Sequence, residues 1–133
     1  MAKKPFIVAV LGYLVPTFAL GYTWHLVVFA EQYKSLHIYR DDVIIPFGFL
    51  SMLIQGSIFA GAYPRLFSGR GAISGGLRFG ALAGLLSWTF TTLATAAKYP
   101  MTSVPHFMLI ETGFTIAQFS MVGPLVALAW RKA

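Results

Sequence analysis

Residues 76–97 read GLRFGALAGLLSWTFTTLATAA, and this stretch decides the fold. From Leu77 to Ala97 it carries one charge, Arg78 at its edge, over about the 20 residues an α-helix needs to cross the hydrocarbon of a bilayer. Gly76, Gly80, Gly84, Ser87, Thr91 and Thr95 recur at spacings of three and four, which places them on one helical face. Such a stripe lets a neighbouring backbone approach closely, a packing device of membrane helices. Leu82, Leu86, Phe90 and Leu93 project elsewhere and suit lipid.

Three further stretches resemble it: about Pro5 to Ala30, Val43 to Tyr63 and Val104 to Trp130. None shows the two-residue alternation of a transmembrane strand. The predicted fold is therefore all-α: an integral membrane bundle of four transmembrane helices forming one domain over residues 1–133. Glu31 to Asp42 reads as a polar loop and Ser68 to Gly76 as a glycine- and serine-rich one, with a tight connection around Tyr99, Pro100 and Pro105. Pro16 and Pro124 fall inside the first and fourth helices, where each removes a backbone hydrogen bond and predicts a kink or a local widening. The first stretch is too long for the apolar core of a signal peptide and has no small-residue cleavage site, so it reads as an uncleaved helix.

Composition agrees. The chain is 57% hydrophobic and 11% charged. Soluble domains carry about 25% charged residues. The net charge of +6 forms no patch with interleaved aromatics, which argues against nucleic acid. Without cysteine there are no disulfides, thiolate metal sites or cysteine nucleophile. Lys3, Lys4, Arg65, Arg70, Arg78, Arg131 and Lys132 fall on one side of the membrane, against Lys34, Arg40 and Lys98 on the other. The positive-inside rule then puts both termini in the cytoplasm and every carboxylate and histidine in the outer half.

Thr17, Gly21 and His25 share a face of the first helix; Gly48, Ser51 and Gln55 a face of the second; Glu111, Thr115 and Gln118 a face of the fourth. Convergence of these faces would form a polar seam of His25, Gln55, Glu111 and Gln118. A carboxyl inside a transmembrane helix is costly and is a functional candidate by default. The bland alternative for Glu111 is a pairing with Lys98 or His25, or a reach to the headgroups. Gln55 and Gln118 read as buried amides bonding between helices. His25, His37, His106 and Glu111 are weak metal candidates, because no recognised ligand spacing joins them. Trp24, Tyr33, Tyr39, Tyr63, Tyr99 and Trp130 fall near membrane boundaries and read as interface anchors. Catalytic triads, phosphate loops and cofactor motifs are absent, and no cofactor is expected.

GYTWH (Gly21 to His25), IIPFGFLSMLIQG (Ile44 to Gly56), YPR (Tyr63 to Arg65), GLRFG (Gly76 to Gly80) and TLATAAK (Thr92 to Lys98) together resemble small four-helix bacterial membrane proteins of the domain-of-unknown-function type. The resemblance implies the bacterial inner membrane and carries over no catalytic residue. The chain does not look like a small multidrug transporter, which is shorter and carries its essential glutamate in the first helix; here the first helix has no acid before Glu31. Three functions remain. The favoured one is a non-enzymatic accessory or self-assembling subunit, a homo-oligomer or part of a larger membrane complex, held through the glycine stripe. The second is an oligomeric transporter or channel, for a small solute or linked to protons, built on the His/Glu seam. The third is a membrane enzyme acting on a lipid-like substrate with His25 and Glu111 as acid and base.

Overall fold

The computed structural model describes residues 2–67 and 69–131. Ser68, at the start of the expected second loop, and Lys132, in the basic set, lie outside the described residues. Four helices long and apolar enough to cross a membrane make up almost all the rest, and there is no strand among the described residues. The chain is an all-α, multi-pass membrane bundle.

The first span is α1 (Lys3–Thr23), continued by a π-helical turn over Trp24–Val28. A short helix, α2 (Ala30–Leu36), follows and ends at His37 in the left-handed conformation. The second span is α3 (Ile45–Leu66). The third is α4 (Ala72–Trp88), a second π turn over Thr89–Leu93, and α5 (Ala94–Lys98). The fourth is α6 (Val104–Ala129), entered through a cap in which the Ser103 side chain accepts from the His106 N–H. Both π turns lie away from Pro16 and Pro124, so the widenings expected at the prolines occur elsewhere.

Two boundaries depart from the sequence reading. The third span starts at Ala72, inside the expected glycine loop, because Gly75 and Gly76 are buried contact points. Tertiary packing of that kind outweighs the poor helix propensity of glycine. In the expected polar loop, residues 30–36 form α2. Tyr33 and Leu36 bury one side of it against Phe107 and Ile110, while Glu31 and Lys34 stay exposed.

The glycine stripe packs against α6 of the same chain. A Cβ on Gly76 would fall on the backbone of Pro124, one on Gly80 on the carbonyl oxygen of Phe119, and one on Gly123 on the carbonyl oxygen of Gly76. Beyond Gly84 the contact runs through Trp88, whose indole N–H donates to the Thr112 hydroxyl (2.9 Å), and through fully buried Thr92. Ser87 is half-buried and Thr91 exposed, its hydroxyl donating to the Ser87 carbonyl. The expected stripe thus leaves the α6 contact at its upper part. The wider turn at Thr89–Leu93 shifts the register of everything beyond it. Leu82, Leu86, Phe90 and Leu93 are exposed, as lipid-facing residues should be.

The end of the bundle that holds Ala2, Phe67, Gly71 and Arg131 is here the near end, and the opposite end, capped by α2, the far end. Near-end packing is aromatic. Phe79 meets Tyr63, Phe59 and Phe67 with centroids 5.4–5.7 Å apart. Phe59 also meets Tyr13 and Phe119 at 5.2 and 6.0 Å. Edge-to-face pairs of this kind are worth about 0.5–1.5 kcal/mol each beyond their area.

Candidate functional site

The polar faces of α1 and α6 converge. Near mid-span the Tyr13 hydroxyl donates to Oε1 of Gln55 at 2.6 Å and lies 3.3 Å from Nε2 of Gln118, which donates to it. The same Gln118 nitrogen is 3.3 Å from the Thr17 hydroxyl, and the Gln55 amide donates to the Ser51 hydroxyl at 2.9 Å. Three spans are thereby linked by side-chain hydrogen bonds, each worth about 0.6–2 kcal/mol in a membrane. Gln118 is buried, as expected. Gln55 is exposed instead: it reaches the Tyr13 hydroxyl from the edge of the α1–α3 contact, while Gly56 packs against the Tyr13 ring.

At the far end the π turn brings His25 over α6. Its Nε2 lies 2.8 Å from Oε1 of Glu111, and its Nδ1 lies 3.0 Å from the carbonyl oxygen of Gly21, one turn earlier in its own helix. A carbonyl only accepts, so Nδ1 carries a proton. The short Nε2–Oε1 contact then requires a proton as well: imidazolium donates to carboxylate, or a carboxyl donates to the bare nitrogen. In either form one proton is shared and the pair is neutral overall, which suits a low-dielectric site. The Tyr33 hydroxyl donates to the same Oε1. Among the described residues Oε2 of Glu111 takes no hydrogen bond. The side chain of His25 remains 26% exposed and that of Glu111 6%.

Aromatic rings wall the pair. The imidazole stacks on Tyr33 (centroids 4.6 Å) and meets the edges of Phe114 (4.7 Å) and Tyr39 (6.5 Å). Burial and then the negative charge of Glu111 push the hydroxyl of Tyr33 well above its ordinary ionisation range. Tyr33 therefore stays a protonated donor throughout the physiological range. Helix α2 is fixed over the site at both ends: Tyr33 reaches Glu111, and the carbonyl of Leu36 accepts from the Thr102 N–H (3.2 Å) ahead of α6.

Of the expected seam, His25 meets Glu111, and Gln55 and Gln118 meet through Tyr13. Thr115 lies between the two groups on α6, its hydroxyl donating to the Glu111 carbonyl. Lys98 is not a partner of Glu111. His37 and His106 do not join the pair, and among the described residues no three His, Asp or Glu side chains gather as a metal site would need. Sequence reading assigned Tyr33 to interface anchoring and passed over Tyr13. Phe29, Tyr33 and Leu36 lie on one side of a short helix, and Tyr13 continues the Thr17, Gly21, His25 face one turn back. Both signals are present in the chain.

Comparison with known proteins gives no matching family model, no matching curated protein and no matching solved structure.

Proposed function

We propose that this chain is a proton-linked membrane transport protein of the bacterial inner membrane, with both termini in the cytoplasm. In this reading the His25–Glu111 pair takes up and releases the proton at the outward-facing end. The observation that carries it is the pair itself: two ionisable side chains share one proton 2.8 Å apart inside a transmembrane bundle, with a free carboxyl oxygen beside them. The polar seam supports the reading. It runs inward from the pair to Thr17, Gln118 and Tyr13 and stops on the aromatic layer of Phe59, Phe79 and Phe119. A row of polar side chains that ends on an aromatic layer suits alternating access, which needs the inner side closed while the outer groups exchange their proton.

The accessory-subunit reading loses its main argument, because the glycine stripe is taken up by α6 of the same chain. No nucleophile or cofactor motif supports the enzyme reading. Assembly as a homo-oligomer or in a larger membrane complex belongs to the proposal, since residues 41–51 are all exposed and a second subunit would cover the outer side of α3. The test is proton flux into proteoliposomes containing a pH-sensitive dye. Flux that rises with the imposed pH gradient and disappears in Glu111→Gln supports the proposal; flux unchanged in that variant removes the pair from the mechanism.

A further inference from the structure

A groove of about 410 Å³ runs between the third and fourth spans. Its floor is the close helix contact, where Gly80 and Gly84 carry no side chain and Phe119 lies buried against them. Its rims are Leu77, Leu85 and Ile116, which are 47%, 62% and 63% exposed, so it opens sideways at membrane depth. Trp88 stands at its mid-membrane end, fixed by the indole hydrogen bond to Thr112. Thr115 also lines it, but its hydroxyl is turned back to the Glu111 carbonyl. From Leu77 to Trp88 the groove is about 16 Å long at 1.5 Å per residue, close to the ~15 Å of one leaflet's hydrocarbon. Volume over length gives a mean section of about 25 Å², against about 80 Å² for a helix 10 Å across. A single hydrocarbon chain fits, and a helix does not.

The near mouth of the groove is polar. Ser120 lies there, next to the Phe119 carbonyl that faces Gly80, and its hydroxyl takes no hydrogen bond among the described residues. Arg78 follows Leu77, is exposed, and has no ion pair among the described residues. All four acids of the chain, Glu31, Asp41, Asp42 and Glu111, lie toward the far end.

A guanidinium at the edge of the hydrocarbon, with no acid of its own chain nearby, attracts a lipid phosphate, and its long stem lets it reach headgroup level. We propose that the groove is a lipid site, holding one acyl chain of an anionic phospholipid of the near leaflet. The chain lies along Gly80 and Gly84 and ends against Trp88. The phosphate meets Arg78, and the Ser120 hydroxyl donates to an ester carbonyl. Neutral and anionic lipids share the acyl chain, so the choice between them comes from Arg78, about fivefold for one basic side chain. The site does not depend on the proton reading: it lies on the lipid side of α6, and the His25–Glu111 pair on the side toward α1.

Trp88 is itself the reporter. Trp24→Phe with Trp130→Phe leaves it as the single tryptophan. This variant is placed in phosphatidylcholine vesicles, and phosphatidylglycerol or phosphatidylcholine brominated in mid-chain is added stepwise. Brominated phosphatidylglycerol is expected to quench Trp88 with saturation, at about one-fifth of the mole fraction that brominated phosphatidylcholine needs. Arg78→Gln should make the two lipids equal. Ala81→Phe, which fills the groove from an exposed lining position, should abolish the saturation, and Leu82→Phe, exposed on another face, should not. Equal quenching before any change at Arg78 would overturn the anionic preference. Quenching that simply follows bulk composition, or that ignores Ala81→Phe, would overturn the site. Native mass spectrometry of the unaltered chain from vesicles of equal phosphatidylglycerol and phosphatidylcholine keeps the question decidable if the single-tryptophan variant does not fold. There retained phosphatidylglycerol should predominate, and equal retention overturns the preference. If Ala81→Phe breaks up an oligomer and leaves lipid retention unchanged, the groove belongs to a second copy and the lipid site falls.

Discussion

His25 and Glu111 are 86 residues apart in sequence, yet Nε2 of one lies 2.8 Å from Oε1 of the other, and the Gly21 carbonyl fixes the tautomer that makes them share a proton. Neither side chain has another oppositely charged partner among the described residues. Removing either leaves the other without its charge partner, His25 with the Gly21 carbonyl alone and Glu111 with the Tyr33 hydroxyl alone. His25→Ala and Glu111→Ala are each expected to cost on the order of 2 kcal/mol of bundle stability, and the double variant clearly less than the two together. Unfolding in mixed micelles measures this, and additive costs would show that the pair is not coupled.

Tyr33→Phe takes the donor away from the buried Oε1 of Glu111 and keeps the ring stacked on His25. The expected loss is about 1.5–3 kcal/mol. It should be concentrated in α2, which is held otherwise by Leu36 and a single backbone bond to Thr102. Hydrogen exchange of residues 30–36 should accelerate while α6 stays protected. Uniform acceleration through the chain would mean that α2 is not a separate latch.

Glycine substitutions should divide by what a Cβ would strike. Gly80→Ala drives a methyl into the Phe119 carbonyl and should destabilise the fold by about 2 kcal/mol or more. Gly84→Ala meets only the side chain of Phe119, at 3.1 Å, and should cost less; Gly48→Ala meets nothing and should be neutral within about 0.5 kcal/mol. Because the contact is within one chain, Gly80→Leu should lower the stability of the isolated protomer, not merely its assembly. Thermal unfolding in detergent, with size measured alongside, separates the two effects.

Alkali gives a further check. Tyr33 ionises above the ordinary value of 10.0, chiefly through burial, so its neutral form is the one the fold holds. The stability it contributes is fully present below pH 10, the pKa of the unfolded chain. It is lost progressively as pH rises above that and toward the higher folded-state value. The tyrosinate absorbance that develops near pH 10 should therefore be the same in Tyr33→Phe as in the native protein. A smaller signal in the variant would show that Tyr33 titrates normally and is open to water.

The four spans were legible because hydropathy and length are local properties of the chain, and the polar faces of α1 and α6 because helical spacing is regular. Their convergence was legible as a possibility: His25 and Glu111 sit at matching depths on antiparallel spans. What spacing cannot supply is the π turn. Five residues, Trp24–Val28, take a wider turn and turn the imidazole to a direction that a uniform helix would not give it. A second such turn buries Thr92 against α6 and leaves Thr91 exposed. Tyr33 escaped because a seven-residue helix among charged residues resembles a loop until its apolar side finds Phe107.

The distance in sequence between the paired residues also bears on how the protein is made. His25 enters the bilayer with the first span, and its partner arrives only with the last. Until Glu111 is threaded in, the nascent protein displays a solitary imidazole, and Tyr33 has no acceptor beneath it. Closure of the pair thus marks completed biogenesis, and a truncated or stalled product carries an unsatisfied polar group of the kind by which membrane quality control tells unfinished proteins from finished ones.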